Sequence, residues 1–140
     1  METHFQKRSI SSEIAKMMLL AAEQKALEIG IGISVYIVDE SAVIKAFSRM
    51  DKAKLVTVDA ARQKAVTAVG FGKPTGEWWY NHIKDDPILF NGVQQFKDFN
   101  LLGGGLPILI EGEIAGAIGI SGGSYQQDIL CAEAALAVLK

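Results

Sequence analysis

Leu106-Pro-Ile-Leu-Ile-Glu-Gly-Glu-Ile-Ala-Gly-Ala-Ile-Gly-Ile-Ser121 is the stretch on which the fold turns. Glu111-Gly112 at its centre is a two-residue turn of the kind that joins antiparallel strands, so Leu106 to Ile110 and Glu113 to Ile120 read as a hairpin. Alternation along the second strand sends Ile114, Gly116, Ile118 and Ile120 to one face, and Ala115, Ala117, Gly119 and Ser121 to the other. That second face is small enough for a helix of the same chain, a neighbouring subunit or a ligand to come close.

Upstream lies a second hairpin. Gly32 to Asp39 is rich in β-branched residues, Glu40 to Ala42 reads as a turn, and Val43 to Met50 as the returning strand. Before it, Ile14, Met18, Ala21, Ala22, Ala26 and Ile29 recur at steps of three and four between Ser9 and Gly30, which predicts a helix with Ser11 as N-cap and Gly30 as C-cap. Thr57 opens another helix, running to about Gly70, with Val58, Ala61, Ala65, Ala68 and Val69 on its apolar face. The last helix starts at Ser121-Gly-Gly-Ser124, where Ser124 and Gln127 spell a capping box, and continues through Ile129 to Leu139. Cys131 within it reads as a small buried hydrophobe.

Between these halves, Gly72 to Asn100 breaks regular periodicity and reads as loop with short helical turns. It is aromatic: seven of the chain's eleven aromatic residues fall between Phe71 and Phe99, and something must cover them. The order of elements indicates an antiparallel sheet flanked by helices, an α+β fold in one domain spanning residues 1–140, with residues 1–8 a mobile N-terminus.

Composition narrows the function. A chain of 140 residues that is 49% apolar carries more nonpolar surface than one small core hides, which points to self-association. No run approaches the roughly 18 apolar residues of a membrane span. Fourteen basic against sixteen acidic side chains, without a basic stripe, argue against nucleic acid. One cysteine and two histidines, His4 and His82, cannot fill a standard zinc site, and no metal is assigned. The start Met-Glu-Thr-His-Phe lacks the build of a signal peptide, so the expected compartment is the cytoplasm.

Candidate chemistry is sparse. Walker and dinucleotide fingerprints are absent, since no Gly-Lys-Ser/Thr follows a glycine turn and Gly30-Ile-Gly32 lacks its third glycine. The Ser121 to Ser124 turn is either a plain cap or a helix N-terminus that holds a small carboxylate or a propionate. Arg49 and Asp51, where the second strand ends, either offer a fork to a carboxylate or pair with each other. Thr57, Ala60, Lys64 and Thr67 share a stripe, and Lys64 either binds an anion or reaches for water. His82, after Trp78-Trp79-Tyr80-Asn81, either ligates haem iron or belongs to an aromatic interface or core. No catalytic set emerges from two histidines and unpaired aspartates.

Taken together, Val35-Tyr-Ile-Val-Asp39, Phe47-Ser-Arg-Met-Asp51, Ala60-Ala-Arg-Gln-Lys-Ala-Val-Thr67 with Pro74-Thr75, Gly103-Gly-Gly-Leu-Pro107, and Gly116-Ala-Ile-Gly-Ile-Ser-Gly122 with Asp128 resemble the GlcG/HbpS family, also called the haem-degrading domain family. The resemblance runs from about Ile10 to Leu139. It implies a profilin-like α/β/α layout with a five-stranded antiparallel sheet, assembly into homo-oligomers, and haem as the most frequent ligand. It also carries over a polar set, Arg49, Asp51, Lys64, Thr67, Ser121, Gly122 and Asp128, that lines a pocket or fixes the oligomer. The leading expectation is a cytoplasmic homo-oligomer binding haem or another flat anionic ligand. Two alternatives stay open: a catabolic-operon enzyme acting on a small carboxylate or aldehyde, and an assembly module without a ligand.

Overall fold

The structure, a computed structural model, describes residues 1–140. Ser11 caps α1 (Ser12–Ile29), its hydroxyl accepting from the Ile14 N–H at 3.1 Å, and Gly30 ends the helix in the left-handed region. The first hairpin is β1 (Ser34–Asp39) and β2 (Ile44–Arg49), followed by α2 (Val56–Phe71). In the aromatic insert the chain forms two short helices, α3 (Glu77–Ile83) and α4 (Pro87–Val93). The second hairpin is β3 (Gly105–Ile110) and β4 (Glu113–Ser121), turned at Glu111 and Gly112 with both φ values positive. The chain closes with α5 (Tyr125–Leu136), whose Ser124–Gln127 capping box is fully formed, and a 3₁₀ turn, Ala137–Leu139.

The sheet is antiparallel throughout, in the order β2-β1-β4-β3. It has four strands, not the five that the resemblance implied. The residues between α2 and β3 form α3, α4 and turns, because Asp86 and Pro87 start a helix there. On β3, Thr75 occupies Gly105, donating its N–H to the carbonyl at 2.9 Å and accepting the Gly105 N–H on its hydroxyl at 2.8 Å.

Helices cover both faces. Met18, Ala22 and Ala26 of α1, with Cys131, Ala132 and Ala135 of α5, pack on Val35, Ile37, Ile118 and Ile120. Ala65, Ala68 and Val69 of α2 pack on Val38 and Ala117 from the other side. The small face of β4 therefore receives a helix of the same chain, and very closely: a Cβ on Gly119 would lie 1.9 Å from the Ala61 carbonyl oxygen. The expected alternation holds from Gly116 to Ser121 and reverses at Ile114 and Ala115. There, Ile108 pairs with Gly116 and Leu109 with Ile114, so Ala115 is the extra residue of a bulge and joins the α1/α5 core.

The insert has its own small core of Trp79, Ile83 and Val93, backed by Leu89, Phe90, Phe99 and Leu101. Phe71 at the end of α2 meets Trp79 edge-on at 4.8 Å and so joins the insert to the body. Of the residues expected to be mobile, Lys7 pairs with Glu40 at 3.4 Å and Arg8 with Glu111. No helix is long and apolar enough to cross a membrane.

Candidate functional site

Of the polar residues quoted from α2, β4 and α5, Lys64 and Asp128 meet, at the end of β4. Lys64 is buried at 2% exposure, and its Nζ donates to the Ile120 carbonyl at 2.9 Å and to Asp128 Oδ2 at 3.0 Å. Asp128 Oδ1 accepts the Gly123 N–H at 2.9 Å, so the pair ties the end of β4 to the start of α5 and both to α2. Burial pushes the Lys64 ammonium down and the Asp128 carboxyl up from their ordinary values, and each is opposed by the partner's charge. Gly104, at φ 122°, lies against the pair; a Cβ there would stand 3.2 Å from Lys64 Nζ and 2.6 Å from the Ile120 oxygen.

Gly103, one residue earlier, faces the other way and floors a cleft of about 340 Å³. One wall belongs to the insert, with Glu77 and Tyr80 a helical turn apart on α3 and Leu101 and Leu102 on the returning chain. The opposite wall is the first turn of α5, with Tyr125, Gln126 and Ile129. Both Tyr125 and Ile129 crowd Gly103, where a Cβ would come within 3.3 Å of the Tyr125 ring and 2.6 Å of Ile129 Cδ1. The cleft is thus an apolar slot between two phenols. Its position follows from the buried pair beneath it, which sets α5 against the glycine run.

The remaining sequence candidates are distributed around this frame. The Thr67 hydroxyl donates to the Asp98 carbonyl at 3.1 Å and accepts the Asn100 N–H at 3.0 Å, holding the insert's return against α2. Ser121 ends β4 opposite Ser34, whose hydroxyl donates to Thr57 at 2.8 Å, and Gly122 passes close over Gly32. Arg49, opposite Ser34 from the other side, donates to the Ala53 carbonyl at 3.1 Å rather than to Asp51. Asp51 lines a separate hollow of about 400 Å³ with Met50, Lys52 and the Gly30–Gly32 turn. His82 stacks on Trp78 at 5.1 Å and is exposed; on α3 it lies about 200° around the axis from Tyr80 and so away from the cleft. Cys131 is wholly buried, and burial pushes its thiol up to about 11, the behaviour of an inert hydrophobe. Tyr80 was visible in the sequence only as one of the insert's aromatic residues and Tyr125 not at all, although a tyrosine directly after a capping serine was there to be seen.

The sequence profile of the family described as haem degrading protein HbpS-like matches residues 10–137. The chain belongs to the HbpS-like family. A 15.0 kDa protein from the dhaT-dhaS intergenic region of Citrobacter freundii is 35% identical over 130 residues, 91% of this chain and 90% of that one. The crystal structure of Klebsiella pneumoniae protein ORFY superposes with a TM-score of 0.92 at 29% identity, covering 99% of this chain and 95% of the other. A crystal structure of a PduOC–heme complex superposes at 0.86 and 28% identity, covering 93% and 94%. In this HbpS-like chain, the motifs behind the resemblance are mainly those that build the α2–β4–α5 junction and the glycine floor above it.

Proposed function

We propose that the protein binds haem or another flat, largely apolar anionic ligand in the cleft between α3 and α5. The observation that carries this is the apolar slot on Gly103 with a tyrosine on each wall. Its residues fit such a ligand: Leu101, Leu102 and Ile129 offer apolar contact to a macrocycle, and Tyr80 and Tyr125 offer oxygens to its metal or polar edge. No lining side chain is basic and Glu77 is acidic, so carboxylates would have to lie away from Glu77 and meet the first free N–H groups of α5, at Tyr125 and Gln126, where the helix dipole is positive. Bound haem would supply an iron centre for ligand binding or redox chemistry. The chain's part is to hold its face, exclude water from one side and place an oxygen near the metal.

The PduOC–heme complex, on the same fold, supports haem as the ligand. A role for Lys64 in holding a small carboxylate substrate has less support, because its ammonium is already matched to Asp128 and the Ile120 carbonyl. Self-association accompanies the proposal, since Ile44 and Phe47 stand exposed on the edge strand β2. A lone buried thiol and the absence of disulfides suit a reducing compartment such as the cytoplasm. Titration with haemin tests the binding: the expected result is a shifted Soret band that saturates at a fixed stoichiometry. A spectrum equal to that of free haemin overturns it.

A further inference from the structure

We infer that the outward face of α1 is a helix–helix seam that closes on α1 of a second copy, an inference that rests on the self-association reading and names a face for it. Met17, Leu20, Gln24 and Leu27 follow one another at steps of three, four and three, the spacing of a coiled-coil seam. On a helix that spacing keeps all four within about 80° of the circumference. They stand opposite Ala15, Met18, Ala22 and Ala26, the residues by which α1 packs into the core. Met17 is 49% exposed and Leu20 and Leu27 are 64% exposed, so the fold of the single chain does not account for this line of large apolar side chains.

The stripe is complementary to itself. Met17 and Leu27 are equally spaced about Ala22, as are Leu20 and Gln24. A two-fold axis at that level lays two α1 helices antiparallel, with Met17 against Leu27 of the partner subunit and Leu20 against Gln24 of the partner subunit. Glu23, which would otherwise place a charge close to the axis, is drawn back toward β2 by the Ser48 hydroxyl, which donates to it at 3.2 Å. Leu27 also lines the hollow of about 400 Å³ that it shares with Ile31, Met50 and Asp51. The same axis therefore brings Met17 of the partner subunit to the rim of that hollow, where a flexible thioether fills irregular apolar space. Each copy supplies one hollow and one methionine, so the contact is reciprocal. The chain exposes 8112 Å² where a monomer of its 15.1 kDa exposes roughly 7,100 Å², and α1 carries part of the difference.

Light scattering coupled to gel filtration reads the assembly, and cross-linking reads the face. Leu20→Lys together with Leu27→Lys is expected to bring the wild-type mass down to half or less, with an unchanged far-ultraviolet spectrum because both side chains are exposed in the single chain. Gln24→Cys, close to the axis, is expected to give a covalent dimer with a short bismaleimide, whereas Lys84→Cys on the insert does not. Cys131 is wholly buried and stays unreacted in both. An oligomeric wild type whose mass is unchanged in the Leu20 and Leu27 variant overturns the seam and leaves the stripe to a different partner, while self-association itself stands. Cross-linking at Gln24→Cys no stronger than at Lys84→Cys overturns the antiparallel register. A monomeric wild type overturns both the seam and the self-association reading beneath it.

Discussion

Lys64 and Asp128 meet in a region with almost no water, and a charge there is tolerable only because its partner is present. Lys64→Met leaves a buried carboxylate without its counter-ion and is expected to destabilise the fold by about 3–5 kcal/mol. Urea unfolding measures this as a lower midpoint. The double change Lys64→Met with Asp128→Leu removes both charges and is expected to cost clearly less than the single one; equal costs would mean that the loss is one of packing rather than of pairing. Gly119→Ala tests the neighbouring contact, because its Cβ has no room beside the Ala61 carbonyl. Its cost is expected to reach about 1–3 kcal/mol or more. Both charged residues were visible in the sequence as candidates, but their partnership was not. They stand 64 positions apart, and a lysine among small residues on a helix reads equally well as one reaching for water. Arg49 and Asp51 erred in the opposite direction: they look like a pair, yet the guanidinium turns to the Ala53 carbonyl.

The insert behaves as an element with its own core, and its return to the body is latched. Arg62 donates to Asp98 at 2.8 Å and also to Asp59, Asn100 donates to Gln63 at 3.2 Å, and Thr67 bridges Asp98 and Asn100. The hydrogen bond from Arg62 holds the Asp98 carboxyl below its ordinary value of 3.8. A carboxyl depressed in the folded state contributes stability above the unfolded value and loses it as pH falls through the folded one. Acidification below about 3.8 is therefore expected to loosen residues 73–102 before the sheet. Asp98→Asn removes the charge while retaining a residue type that tolerates the positive φ at this position. It is expected to raise hydrogen exchange in the insert at neutral pH by an opening cost reduced about 1 kcal/mol, with β1 and β4 unaffected. Uniform loss of protection across the chain would contradict a separate latch. The hairpins and the three long helices were legible because their apolar periods persist for several turns or pleats. The short helical turns expected between Gly72 and Asn100 are α3 and α4, but their bounds were not legible, since seven residues each give barely two turns and their apolar positions serve a private core. The residues left four or five strands open and the resemblance implied five; the chain forms four.

Surface area gives the apolar composition a physical meaning. The isolated chain exposes 8112 Å² at 15.1 kDa, whereas a monomeric protein of that mass exposes roughly 7,100 Å². The excess, on the order of 1,000 Å², is close to what one partner contributes to a stable interface, about 800 Å². Part of it belongs to the extended residues 1–9, where Met1 and Phe5 face solvent, but much of the remaining apolar exposure is carried by ordered elements. Ile44 and Phe47 lie on the edge strand β2, with Val43 just before it, and Leu55 and Val56 stand at the start of α2. An edge strand with exposed branched and aromatic side chains pairs readily with another copy unless charge or proline prevents it. Light scattering coupled to gel filtration at micromolar concentration is expected to give a mass at least twice that of the chain. Ile44→Lys together with Phe47→Lys is expected to lower that mass, and because both side chains are exposed in the single chain the far-ultraviolet spectrum should not change. A monomeric wild-type protein with an intact fold would show that the exposed edge serves something other than self-association. A charged variant that stays oligomeric would move the interface to another apolar face, such as Met17, Leu20 and Leu27 along α1.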